Sequence, residues 1–292
     1  MDVSVILVSY NTKEMTRDCL NSIYQYTKDI EFEVFVVDNN SSDGSAEMIE
    51  QEFPQVKLIR NSENKGFGAA NNIAIRQSSA KYIFCLNTDT VLLSNSIKAF
   101  YDFMEKDENK NVGACGCQLL DKDMKPQHSY AKFPCLAKIV SMIFFFHKIC
   151  PSIYLKLFIN SKSENDTKPY SVDYITGADL FIRKSVIDEC GMFDEDFFMY
   201  SEEAEMQFRF KKYGYKSVII PDINIIHYCS VPDKEVPVSR LRMIFMSEIL
   251  FYRKCYGRLM SKLAKFFYII KFIITPQHFK RYAELIKMVI CL

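Results

Sequence analysis

No two cysteines of this chain are separated by two intervening residues, and its ten cysteines are scattered, with only Cys115 and Cys117 close together. That removes the spacing of a zinc framework and the pattern of a disulfide scaffold, and it points to free thiols in a reducing compartment. The opening MDVSVILVSYN lacks a basic n-region and its apolar run is only strand-length, so it is no signal peptide and the chain is expected in the cytoplasm. The apolar stretch LAKIVSMIFFFHKIC (136–150) is too short to span a bilayer and is interrupted by Lys138, His147 and Lys148. Lys271 likewise breaks FFYIIKFIIT near the end of the chain. Low-complexity tracts are missing, which argues against disorder. Net charge is nearly missing too, at +1, and by itself it names no partner; no nucleic-acid partner is expected.

What the chain does have is length and apolar residues. Of its 292 residues 49% are hydrophobic, enough for a sizeable core in one large domain or one domain with appendages. The small net charge hides an asymmetry. Residues 251–292 carry nine Lys or Arg against one Glu, a net of +8 that leaves −7 for residues 1–250. A basic tail behind an acidic body fits an anionic surface, with lipid headgroups the first candidate.

The first 120 residues alternate strand and helix signals. Strands are expected at 3–9, 32–38, 56–60, 81–87 and 112–118, with helices at 13–27, 43–52, 66–78 and 94–106 between them. Such alternation implies α/β architecture: a Rossmann-like, mostly parallel central sheet flanked by helices. Ligands of these sheets bind beyond the carboxyl ends of the strands, where Ser9, Asp38 and Asp89 fall. Residues 120–170 break the rhythm, and 161–169 read as an exposed loop. Strands and one helix return over 172–230, and a helical pattern runs from about 238 onward. In that tail Lys254, Arg258, Lys262 and Lys265 form a basic stripe. Tyr256, Leu259, Met260, Leu263, Phe267 and Ile270 form an apolar face, the layout of a C-terminal amphipathic helical region lying in a membrane interface. An ordinary helix packed on the body would show nearly the same pattern.

Four places carry residues suited to chemistry. Asp38 ends the apolar VFVVD, where an acid can accept hydrogen bonds from a base or ribose; a strand end before a capped helix is the plainer account. Gly66 and Gly68, in ENKGFGAANN, let backbone approach a ligand, although a small-residue packing turn would explain them but not the three asparagines. In CLNTDT, Asn87 and Asp89 fall on one side of an extended segment and offer hard oxygen ligands for magnesium or manganese shared with substrate phosphates. His227 follows another apolar run and would complete that site, a mix that manganese accepts better than magnesium. Finally, Glu202, Glu203 and Glu205 open a helical pattern, either as acids facing the helix dipole or as general-base candidates.

Taken together, VSVILVSYN, VVDNNSSDGS, NKGFGAANN, LNTDT, the run from Gly177 to Tyr215 and the downstream His227 resemble, in order and spacing, family 2 glycosyltransferases, with a flavour of the bacterial rhamnosyltransferase-like branch. The resemblance covers about residues 1–230. It implies a GT-A fold with a nucleotide-binding half (1–119) merged with an acceptor-side half (120–236), followed by a helical, membrane-associating tail (237–292). It implies inverting transfer of a sugar, rhamnose being one candidate, from a nucleoside-diphosphate sugar to a glycan or lipid-linked acceptor. By the same analogy Asp38 contacts the nucleobase, and Ser9, Asn11 and Asn64 lie near the nucleoside, with Gly66 and Asn87 beside them. Asp89 holds a divalent ion, Mn2+ or Mg2+, with His227 as a further ligand. Glu203, with Glu202 beside it, falls where the family's catalytic base sits. Two departures are visible: Asn-Thr-Asp has one acid fewer than the family's metal motif, and Glu203 and Glu205 stand where aspartates are usual. The alternatives are a metal-dependent nucleotidyltransferase and a catalytically inactive, membrane-bound nucleotide-sugar-binding module.

Overall fold

Alternate residues of the first strand serve two different cores, and this sets the architecture. The computed structural model of the protein describes residues 1–159, 167–228 and 237–274. Strand β1 (Val3–Ser9) is followed by helix α1 (Lys13–Tyr26), β2 (Phe32–Asp38), α2 (Ser45–Glu52), β3 (Lys57–Arg60), α3 (Phe67–Gln77) and β4 (Tyr82–Leu86). Val3, Val5 and Leu7 of β1 join Val34, Val36 and Phe84 in one apolar layer, while Ile6, Phe35, Val37, Ile83 and Cys85 join the opposite one. A strand of period two whose apolar residues fall on both faces therefore demands cover on both. Leu20, Ile23 and Ile49 of α1 and α2 cover the first face, and Ala70, Ala74 and Ile75 of α3 cover the second.

The chain continues through β5 (Thr90–Leu92), α4 (Ser96–Glu105), β6 (Val112–Leu120), the short β7 (Tyr130–Ala131), and three helices, α5 (Leu136–Ile143), α6 (Phe146–Ile149) and α7 (Pro151–Phe158). Then come β8 (Tyr170–Val172), β9 (Tyr174–Ile175), β10 (Asp179–Arg183), α8 (Lys184–Cys190), α9 (Glu202–Lys212), β11 (Lys216–His227), α10 (Val238–Phe251) and α11 (Arg258–Ile274). Residues 172–228 thus hold two helices rather than the one expected. Gly191, at φ +90°, closes α8 and frees the chain to turn before α9 begins.

Among the described residues the main sheet has the order β3-β2-β1-β4-β10-β6-β11-β5, with β8 paired to β11. β1 to β4 run parallel, as do β6 and β11, whereas β10 runs against both β4 and β6. The late strand β10 is inserted between two early ones, so residues before and after 120 share one sheet. Because β10 is reversed, its amino end lies at the same edge as the carboxyl ends of β1, β2, β4 and β11; Asp179 pairs with Leu86 there. That edge gathers the site.

Helices α5, α10 and α11 form a separate apolar cluster around Ile139, Ile249, Tyr252, Ala264, Tyr268 and Phe272. Helix α11 is anchored to the body along a face that periodicity had not singled out. Ser261, Ala264, Tyr268 and Phe272 are buried, with Met260 and Phe267 packed at their margin, whereas Leu259 is 70% exposed and Leu263, Phe266 and Ile273 also face outward. The helix is apolar on two sides, and the body occupies only one. Most of 161–169, and the tail beyond 274, lie outside the described residues. Among the described residues no helix is long and apolar enough to cross a membrane, and every cysteine is unpaired.

Candidate active site

The loops that follow β1 and β2 are stitched to each other at the sheet edge. Asn11, in the left-handed region at φ 54°, donates its backbone N–H to Ser41 Oγ at 3.0 Å and accepts the Ser42 N–H on Oδ1 at 2.8 Å. Asp38 is buried; its Oδ2 accepts the Ser41 N–H at 2.9 Å, while Oδ1 finds no partner among the described residues. An unpaired buried carboxylate oxygen is costly unless something supplies a donor, and a nucleobase or ribose is such a donor. Ser9 is placed differently. It is wholly buried, its hydroxyl 3.3 Å from both Thr12 and Thr16, so it braces the loop from beneath.

The asparagines of the glycine-bearing loop turn out to be carpentry. Asn64 Oδ1 accepts the Gly66 N–H at 2.9 Å, Asn71 Nδ2 donates to the Phe67 carbonyl at 3.0 Å and Asn72 Nδ2 to the Phe193 carbonyl at 2.9 Å, while Asn39, after β2, donates to the Gly66 carbonyl at 3.1 Å. Gly66 sits at φ +82°, where a Cβ would lie 2.0 Å from the Phe198 carbonyl oxygen, and the next N–H, of Phe67, donates to that same oxygen. Only glycine permits this approach. The glycine-bearing loop is thereby clasped to the loop before α9.

Asn87-Thr88-Asp89 is a tight turn and not the extended segment expected, since the Thr90 N–H returns to the Asn87 carbonyl at 3.3 Å. Alternation of side chains therefore does not relate Asn87 to Asp89. Asn87 is instead tied by its N–H to the Ala178 carbonyl at 3.0 Å. What positions Asp89 is the antiparallel pairing of β5 with β11, in which Thr90 faces His227 and the Tyr228 N–H donates to the Asp89 carbonyl. His227 Nε2 lies 3.3 Å from Asp89 Oδ1, yet Nε2 is buried and lacks a hydrogen-bond partner among the described residues. A carboxylate oxygen and an imidazole nitrogen that converge without bonding each other suit two ligands of one divalent ion. No third His, Cys, Asp or Glu completes a set among the described residues. That fits an ion which draws its other ligands from substrate phosphates and water.

Helix α9 brings the acids. Tyr200 and Ser201 precede it, both left-handed at φ 70° and 66°, a strained pair for residues with side chains. The strain is held by contacts from α10: Arg240 Nε donates to the Tyr200 hydroxyl at 2.6 Å and Ser247 Oγ to the Met199 carbonyl at 2.6 Å. Glu205 is buried and locked by its neighbour one turn on, since Arg209 Nε and Nη2 both donate to it at 2.9 Å while the guanidinium also reaches the Met192 carbonyl. Glu205 is thus a clamp that fastens α9 to the end of α8. Glu202 is buried beside Gly68, with Oε2 unpartnered among the described residues, and burial and then the adjacent Glu203 push its carboxyl well above the usual range. Burial also pushes Glu203 up, to about 7, against the opposing pull of its own backbone N–H and those of Ala204 and Gly177. The positive end of the helix dipole favours ionised acids here, but loss of water outweighs it. Glu203 remains partly accessible where Glu202 is not. Its Oε2, like that of Glu202, is buried and unpartnered among the described residues, and a carboxyl pushed up to about 7 is suited to accept a proton near neutral pH.

Two residues at this edge carried no signal in the sequence. Gln207, buried, receives the Ile175 N–H on its oxygen at 2.9 Å and donates to the Ile175 carbonyl at 2.8 Å, which sets the depth of α9. Asp179, fully buried at the start of β10, accepts the Cys117 N–H at 2.6 Å and is pushed up to about 7 by burial. The i,i+4 pair Glu205–Arg209 was open to reading from spacing alone.

The sequence profile of glycosyl transferase family 2 matches residues 4–191, and the chain belongs to that family. Its fold is GT-A and it is a nucleotide-sugar glycosyltransferase. Among its relatives is an N-acetylglucosaminyl-diphospho-decaprenol L-rhamnosyltransferase of Mycobacterium tuberculosis, 26% identical over 231 residues that cover 75% of this chain and 73% of the relative. The rhamnosyltransferase WbbL of Escherichia coli is 24% identical over 77% of this chain and 83% of its own length. A dTDP-rhamnosyl transferase of Shigella flexneri is 24% identical over 86% of this chain and 76% of its own. Of solved structures, a mannosyltransferase from Pyrobaculum calidifontis in complex with GDP-mannose and Mn2+ superposes with a TM-score of 0.61 at 16% identity, covering 97% of this chain and 74% of that one.

Proposed function

We propose that this family 2 enzyme moves rhamnose from a nucleoside-diphosphate donor to a hydroxyl of a lipid-linked glycan acceptor, with inversion at the anomeric carbon, in the synthesis of a surface polysaccharide. The observation that carries the reading is the convergence at one sheet edge of Asp38, the Asp89–His227 pair and the partly accessible, proton-hungry Glu203. Relatives named as rhamnosyltransferases support the sugar, and the relative acting on a diphospho-decaprenol supports the acceptor class. Asp38 and Asn11 bind the nucleoside. Asp89 and His227 hold a divalent ion, which when bound neutralises charge on the departing diphosphate. Glu203 takes the proton of the acceptor hydroxyl as its oxygen attacks the anomeric carbon and the nucleoside diphosphate leaves from the opposite face. Holding two substrates in line supplies much of the remaining acceleration. The test is thermal shift of the purified protein with a panel of nucleoside-diphosphate sugars, with and without Mn2+. Metal-dependent stabilisation by dTDP-rhamnose above the other donors is expected; stabilisation by none would sink the reading.

The enzyme works against a membrane surface in this proposal. Phe144 and Ile149 are 70% and 71% exposed, Ile153 and Leu157 of α7 face outward, and so does the outer stripe of α11 from Leu259 to Ile273, flanked by Arg258 and Lys262. Apolar side chains beside cations suit an anionic interface, through insertion and charge together. Co-sedimentation with phosphatidylglycerol vesicles at low salt, reduced severalfold by Leu259→Glu with Phe266→Glu, is the expected result; equal recovery with neutral vesicles, or no effect of the pair, would count against it.

A further inference from the structure

A cavity of about 430 Å³ lies between the loop 196–199, α10 and α11, outside the site described above. Phe198, Met243, Met246 and Leu250 give it an apolar wall, and Arg253 and Lys265 line it as well. Phe198 and Met246 stay 45% and 37% exposed although they face a concave surface. Large side chains left open in a hollow are prepared for an apolar occupant, and methionine adapts its shape to chains of irregular outline. The cations point to the other half of that occupant. Asp196, the acid of the lining, is ion-paired with Lys254, and neither Arg253 nor Lys265 has an acidic partner among the described residues. Arg253, whose charge also acts on Asp196, and Lys265 stand beside an apolar wall and complement an anionic head on a hydrocarbon tail.

The position of the hollow supplies its purpose. Loop 196–201 touches everything relevant. Its Phe198 carbonyl accepts the Phe67 N–H of the glycine-bearing loop at 3.0 Å, its Met199 carbonyl accepts Ser247 Oγ of α10 at 2.6 Å, and the chain then runs directly into Glu202 and Glu203. Glu203 lies five steps along the chain from Phe198, a reach of at most roughly 17 Å. A diphosphate and the sugar it carries span such a gap.

Resting on the proposed transfer to a lipid-linked acceptor, we infer that this groove binds the acceptor's prenyl diphosphate, with the isoprene carbons on Phe198, Met243, Met246 and Leu250 and the diphosphate at Arg253 and Lys265. The sugar at the end of the diphosphate is thereby presented to Glu203. The groove then accounts for acceptor selection as the sheet edge accounts for the donor.

The probe is farnesyl diphosphate, titrated calorimetrically into the full chain without divalent metal, so that capture of the diphosphate at the Asp89–His227 pair is silent. Binding at least tenfold tighter than inorganic diphosphate or dihexanoyl phosphatidylglycerol is expected, weakened tenfold or more by Met246→Glu and, separately, by Arg253→Ala with Lys265→Ala. Binding of donor with Mn2+, measured on the same variants, should be unchanged and shows that they are folded. No binding of farnesyl diphosphate, equal binding of the phospholipid, or indifference to both variants overturns the inference. The underlying functional reading fails separately, in a wild-type protein that binds farnesyl diphosphate but no nucleotide sugar.

Discussion

Glu203→Gln is expected to lower kcat for sugar transfer about a thousandfold while the donor's KM stays within about twofold, because an amide can fill the space but cannot accept the acceptor's proton. Glu203→Asp keeps the carboxylate one methylene too short and should retain more, losing about a hundredfold. A residue that only filled space would show the reverse order, since Gln matches Glu in size. The pH profile gives an independent check. With the Glu203 carboxyl pushed up to about 7 by burial, the base is ionised above that pH and protonated below it, so kcat/KM should fall tenfold per unit as pH drops beneath about 7. Stability moves the other way. The unfolded carboxyl ionises near 4.5 and the folded one near 7, so the folded state loses stability as pH rises between the two. Glu203→Gln removes that burden and should raise the melting temperature at pH 8 by an amount corresponding to at most roughly 3 kcal/mol, with no gain at pH 4. Lost activity in a more stable protein assigns the loss to chemistry; a destabilised one would refute the assignment.

Asp89→Ala should abolish the advantage that Mn2+ gives to donor binding, at least about a hundredfold, since the carboxylate is the only anionic ligand offered to the ion by this pair. His227→Ala, which removes a neutral ligand, should cost less, about tenfold. Calorimetric titration of the donor with Mn2+ and again with a chelator separates the contributions. In chelator the three proteins should bind alike, and a variant that is weak there as well would place Asp89 in the fold of the turn instead of at the ion.

Much of the sheet was legible because its strands follow the simplest rule available to a chain. Val3–Ser9, Phe32–Asp38 and Tyr82–Leu86 are short, apolar and β-branched or aromatic, and the helices between them carry one apolar stripe each. Local periodicity contains that information. It contains nothing about partners. The insertion of β10 between β4 and β6, and the meeting of Thr90 with His227, join segments far apart in sequence, and pairings of that kind are decided by the whole set of strands competing for edges. Asn87-Thr88-Asp89 illustrates the cost: read as a continuing strand it put Asn87 and Asp89 on one face, whereas a returning Thr90 N–H makes it a turn.

The acids show the same division at the level of single side chains. That Glu202, Glu203 and Glu205 open a helix was evident from their position before a periodic segment. Which of them is free to act was not. Arg209 occupies Glu205, Gly68 admits Glu202 into the interior, and Glu203, its carboxyl pushed up by burial, is the less buried residue of the remaining two. The tail repeats the lesson, since α11 is apolar on two sides and periodicity could not say which side meets α5 and α10.

The sequence by itself determined the α/β class, the strand end at which Asp38 stands, and the chemical kinds of group available. Those follow from apolar periodicity and side-chain composition, which are properties of short stretches of chain. Only the tertiary structure decided which groups converge, which carboxylates lose their hydration, and which face of the tail stays open. Ionisation and ligation depend on distance and dielectric, and both are set by residues brought together from the two ends of the fold.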